Sequence, residues 1–181
     1  MDTSRPRLDL AAFAVALGLL AWLTTTFVSE RNGAASVMCA ICLGGLVLGW
    51  IIRVPGTVLL AVAVGLTAVL WMVWVDPPGS ARRTSALAHA TGGVIVGWAC
   101  AETLRRRLRN PLLVAILALS AVIALTVVWE VGEYVGDRLL DTALVPRKRD
   151  SAEDIFFGTL GGSVGIAVGT VLSLWRRGGA P

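Results

Sequence analysis

Glu130, Glu133 and Asp137 stand three and then four residues apart in WEVGEYVGD (129–137), directly after a run from Pro111 to Trp129 that carries no charge. On a helix that spacing lines up all three carboxylates on one face. A second acidic group, Asp150, Glu153 and Asp154, lies in RDSAEDIFFG, and the single histidine, His89, lies in LAHATGG. Carboxylates grouped with one imidazole can hold a cation, share a proton or direct a metal-bound water. A structural zinc site would offer more Cys or His, so a carboxylate-rich set with one His better suits Mg, Mn, Ca or no metal.

Plainer explanations compete for the same residues. Ser151-x-x-Asp154 fits a capping box at the start of a helix, where acids also suit the dipole. Glu130 and Glu133 have no such role. Near a helix C-terminus negative charge is unfavourable by up to about 1 kcal/mol, so an Arg, a metal ion, a shared proton or water must offset it.

Composition places these groups in a membrane setting. The 181-residue chain is 56% hydrophobic and only 15% charged, with a mean hydropathy of +0.76. Soluble domains carry about 25% charged residues. Apolar segments at 10–28, 34–52, 54–75, 84–104, 112–135 and 155–175 each approach the roughly 20 residues that span a bilayer. The expected fold is all-α: one polytopic bundle of about six transmembrane helices in a single domain. The first segment is longer than a signal-peptide core and has no clear cleavage site after it, so it reads as a retained helix. Arg53-Val54-Pro55-Gly56 predicts a tight hairpin, Asp76-Pro77-Pro78-Gly79-Ser80 ends the third helix, and Asn110-Pro111 opens the fifth. Trp50, Trp71, Trp74, Trp129 and Trp175 fall near predicted ends, as an aromatic belt requires.

The net charge of +4 reports topology and headgroup contact rather than nucleic acid, for which no aromatic-interleaved basic segment exists. With the N-terminus inside, the inner segments hold slightly more Lys and Arg, including the Arg105–Arg109 block. Both termini are therefore expected in the cytoplasm. Helix parity is more informative than orientation. It brings the start of the fourth helix (His89), the end of the fifth (Glu130, Glu133) and the start of the sixth (Asp150, Asp154) to one face, expected to be the outer boundary.

Other motifs carry less chemistry. Cys39 and Cys42 in CAIC lie inside an apolar helix with no His or acid nearby, and read as small packing residues. Gly161, Gly165 and Gly169, with Gly158 and Gly162 as a second pair, predict close helix packing. GGSVG (161–165) matches a nucleophile elbow in letters only, because Ser163 falls mid-helix where a strand-to-helix turn is needed.

His89, Glu102, WEVGE and RDSAEDIFFGTLGGSVG (149–165) resemble the VanZ-like and YjdF-like membrane-protein families over residues 84–170. Glu130 matches the Glu of a VanZ-like E-x-x-Q pair, with Glu133 in place of Gln. Arg149, Asp154, Gly161 and Gly165 fit the segment that opens the next helix, and Gly158 replaces its Asn. The YjdF-like E-x-x-E and D-x3-D patterns are matched by Glu130 with Glu133 and by Asp150 with Asp154. The VanZ-like resemblance implies work at the bacterial cell envelope, in the setting of glycopeptide resistance. The chain then reads as an inner-membrane protein whose pocket of His89, Glu130, Glu133, Arg149, Asp150 and Asp154 takes a cation, a metal or a lipid-linked ligand. Its expected partners are the bilayer and that ligand, with oligomeric state left open. Of these residues, His89, Glu130, Glu133 and Asp154 are the candidate ligands of a divalent metal. Two alternatives stand beside it. One is a metal-dependent enzyme on a lipid-linked substrate, with Glu130, Glu133 or His89 as catalytic candidates. The other is a small proton-coupled transporter.

Overall fold

A computed structural model of the chain describes residues 4–30, 33–74, 81–140 and 148–178. Among them are six helices and no strand: α1 Ser4–Ser29, α2 Gly33–Ile51, α3 Gly56–Trp74, α4 Ala81–Arg105, α5 Pro111–Leu140 and α6 Lys148–Gly178. The protein is an all-α helical membrane bundle. Its outer surface is apolar along whole helices: Leu112, Ile116, Leu125, Val128, Val131 and Val135 of α5 are all exposed, as lipid-facing side chains are.

Three described segments, Arg7–Ser29, Pro111–Gly136 and Ser151–Trp175, are long and apolar enough to cross a membrane, with shorter apolar helices at Ala35–Ile51 and Gly56–Met72. The sequence led us to expect about six spans. The difference is clearest at α4, which carries Arg83, Ser85, His89, Glu102 and Arg105. That helix packs against α3, α5 and α6, so helices rather than lipid supply much of its surroundings.

Local chemistry sets the helix ends. At the close of α2, Val54 N–H donates to Gly49 O at 2.9 Å and Arg53 N–H to Trp50 O at 3.0 Å. With Arg53 in the left-handed region at φ 64°, these bonds form a Schellman cap. The hairpin expected at Arg53–Gly56 is present. Asn110 Oδ1 accepts the N–H groups of Leu112 at 3.0 Å and Leu113 at 3.2 Å, and Pro111 takes the first helical position. The Asp76–Ser80 break lies outside the described residues.

Two expectations need correction. Helix α6 begins at Lys148 rather than 155, and α5 runs to Leu140 rather than 135. Charged residues such as Arg138, Lys148, Arg149 and Glu153 lower hydropathy with little loss of helix propensity, so the charged turns stay helical. Ser151 and Asp154 consequently lie inside α6 and do not cap its start.

Each half of the chain has its own packing. In the first, Ala16, Leu20, Leu23, Phe27, Cys39 and Cys42 are among the residues of one buried apolar cluster spanning α1 to α3, so both cysteines do pack as small core residues. Asp9 of α1 accepts the Thr57 N–H at the start of α3. In the second half α4 and α6 are the most intimate pair. A Cβ on Gly161 would lie 2.0 Å from Ala90 O, on Gly165 2.1 Å from Val94 O, and on Gly97 2.2 Å from Gly162 O. Only glycine allows backbones that close. At the far end Arg105 donates to Gly169 O at 2.6 Å and to Thr170 Oγ1 at 2.8 Å. Ser163 bonds back to Thr159 O within α6, which removes the nucleophile-elbow reading.

Candidate metal centre

The parallel run of α4 and α6 sets Ser85 and His89 beside Asp154, and α5 returns against both of them with Glu130. His89 Nε2 stands 3.1 Å from Glu130 Oε1, and His89 Nδ1 stands 3.3 Å from Asp154 Oδ1. One potential ligand atom from each of His89, Glu130 and Asp154 lies within 4.8 Å of the others. Glu130 is 6% exposed and Asp154 8%. The group sits six residues inside the α5 span, which ends at Gly136, and three inside the α6 span, which starts at Ser151. It is therefore inside the membrane-spanning segments but near one end of them.

The proton on His89 can be assigned from its neighbours. Nδ1 lies 3.0 Å from Ser85 O, and a carbonyl only accepts, so Nδ1 carries hydrogen. Ser85 Oγ lies 3.4 Å from the same nitrogen and donates to Asp154, 3.1 Å from both carboxylate oxygens. A neutral imidazole would then present a lone pair at Nε2 toward an oxygen of Glu130, and a protonated one an N–H paired with that carboxylate. Neither Glu130 oxygen nor His89 Nε2 has an aligned hydrogen bond, and all three atoms are buried. A proton or a cation between these two buried atoms would relieve their repulsion, and His89 and Glu130 are the residues that would hold such a cation. The donor set fits a divalent cation.

Glu133 is 8% exposed and stands apart from this trio. Its Oε1 accepts the Trp129 indole N–H at 2.7 Å, while the Trp129 ring packs on the core of the first half. Trp129 is thus turned inward, unlike the belt residue the sequence suggested. Arg149 and Asp150 belong to the first turn of α6, and their side chains lie outside the described residues. Glu102 lies at the other end of α4, where Arg106 donates to it at 3.3 Å.

Sequence reasoning missed two residues. Ser85 is one turn before His89, a spacing that could have flagged it. Arg105 was counted only as a topology charge, and nothing in its neighbourhood in the sequence points to the carbonyls of α6.

No curated protein and no solved structure matches this chain. Residues 84–174, about half of the chain and the region that holds His89, Glu130 and Asp154, match the family described as Predicted membrane protein (DUF2238). The chain belongs to that family.

Proposed function

We propose that this protein binds one divalent cation at the cluster of His89, Glu130 and Asp154, near the membrane boundary at which α4 and α6 begin. The observation that carries the reading is the buried Glu130 carboxylate, both of whose oxygens lack a hydrogen bond while one faces His89 Nε2 at 3.1 Å. Two carboxylates and a neutral imidazole balance a doubly charged ion, so the loaded site carries no net charge into the bilayer. Arg83, exposed near the start of α4, suits the phosphate of a lipid headgroup or lipid-linked ligand. The YjdF-like and VanZ-like resemblance supports a role in the bacterial inner membrane and cell envelope, and the distribution of Lys and Arg supports both termini in the cytoplasm with the pocket outermost.

Metal analysis of protein purified in detergent, with Mn²⁺ as the added ion, tests this reading. One ion per chain is expected, lost in Glu130→Gln and in His89→Ala. A wild-type protein with no stoichiometric metal would sink the proposal.

A metal-dependent enzyme is the second reading, favoured by Glu133. That carboxylate is buried next to the centre, and its orientation is set by Trp129, as a base acting on metal-bound water would need. Transport has less support, because α5 carries no charged residue between Pro111 and Trp129.

A further inference from the structure

We infer that Asp154 and Ser85 form an outer positioning pair for the ion, and that its direct protein ligands are His89 Nε2 and Glu130. The inference rests on the cation-binding reading above and divides the roles within it. Asp154 approaches the imidazole from the Nδ1 side, at 3.3 Å, whereas Glu130 approaches from the Nε2 side, at 3.1 Å. Nδ1 is already committed to its proton by the Ser85 carbonyl, so the coordinating lone pair points to Glu130 and away from Asp154. Ligating histidines commonly give their second N–H to a carboxylate or a carbonyl, which fixes the ring and raises its basicity. Here both are present. Asp154 is itself held by the Ser85 hydroxyl, which is 3.1 Å from each of its oxygens. The paired oxygens of Asp154 contrast with those of Glu130, which receive no hydrogen bond and are left for the ion.

This arrangement supplies two protein ligands, at most three ligand atoms if Glu130 binds with both oxygens. Mn²⁺ and Mg²⁺ prefer six. The remaining positions belong to ligands from outside the chain, and an oxygen anion such as a phosphate is the class that suits a hard cation.

The two roles separate in a Mn²⁺ titration followed by electron paramagnetic resonance, with full-length protein in detergent. Glu130→Gln and His89→Ala should abolish binding, and wild type should show coupling to one imidazole nitrogen. Asp154→Asn and Ser85→Ala should keep that nitrogen coupling while weakening affinity roughly 10- to 100-fold, and Ser85→Thr should restore it. Loss of binding in Asp154→Asn as complete as in Glu130→Gln would make Asp154 a ligand and overturn the assignment. Unchanged affinity in both Ser85→Ala and Asp154→Asn would overturn it as well. No Mn²⁺ binding by wild type would instead remove the cation-binding reading itself. Inorganic phosphate added to the wild-type Mn²⁺ complex should perturb its spectrum, and an unaltered spectrum would overturn the open-position claim.

Discussion

At the scale of single residues, the nature of Glu130 decides between a metal site and a structural ion pair. Were Glu130 half of a buried pair with a charged His89, removing its charge would strand the partner and cost about 3–5 kcal/mol. A carboxylate kept for an ion has the opposite sign. Without metal it is a buried charge lacking hydrogen bonds, so Glu130→Gln should leave the metal-free protein as stable as wild type or up to about 1 kcal/mol more stable. Denaturation of the two proteins in chelator measures the difference, and a large loss in the variant would favour the ion pair. The residues of the site were legible in the sequence to different degrees. Glu130 stood out because it follows a long uncharged run, and His89 because there is no other histidine. Ser85 did not, since a serine in a helix has many ordinary uses and its partner lies 69 positions away. The capping box at Ser151 misled because the helix start that it presumes was placed too late.

At the scale of elements, glycine and arginine join α4 to α6 at different heights. Gly97→Ala should destabilise the fold by about 1–3 kcal/mol or more, because its new methyl group would meet the Gly162 backbone and neither helix can yield alone. Gly92→Ala provides the control. A Cβ there meets nothing within 4 Å, and the substitution should be neutral or stabilising by up to about 1 kcal/mol. Arg105→Ala removes charged hydrogen bonds from the other end of the pair and should cost about 2 kcal/mol. Thermal unfolding in detergent checks all three. Helix number, the Arg53 hairpin and the Asn110 start could be read from the chain because each has a local cause. The exact reach of α5 and α6 could not, since hydropathy fades in their charged turns before helicity does.

At the scale of the whole molecule, two three-helix halves meet where α3 packs on α4 and α2 on α5. Gly65 of α3 faces Ile95, and Gly132 and Gly136 of α5 face Ile41 and Val37 of α2. Each half contains three helices, so each begins at one face and ends at the other. The first half buries a continuous apolar cluster, whereas the second has a smaller one, built on Ala101, Val114, Ala118 and Ile166, and relies on backbone proximity. An ion that ties α4 and α5 together should therefore raise the stability of the weaker-cored half. At a Mn²⁺ concentration of 100 times Kd the expected gain is about 2.7 kcal/mol, seen as a rise in Tm that Glu130→Gln abolishes. An equal rise in the variant would assign the effect to ions binding elsewhere.

The backbone contact between α4 and α6 has a mechanical consequence. Ridges of side chains can slide past one another, but main chains seated on glycine and pinned by Arg105 move together. Ser85, His89 and Asp154 are therefore carried on one jaw of fixed shape, and Glu130 is carried on the other by α5, whose contacts with α6 run through the side chains of Val122 and Thr126. On the cation-binding proposal, entry and exit of an ion would fall to a swing of α5, whose exposed apolar face lies against lipid.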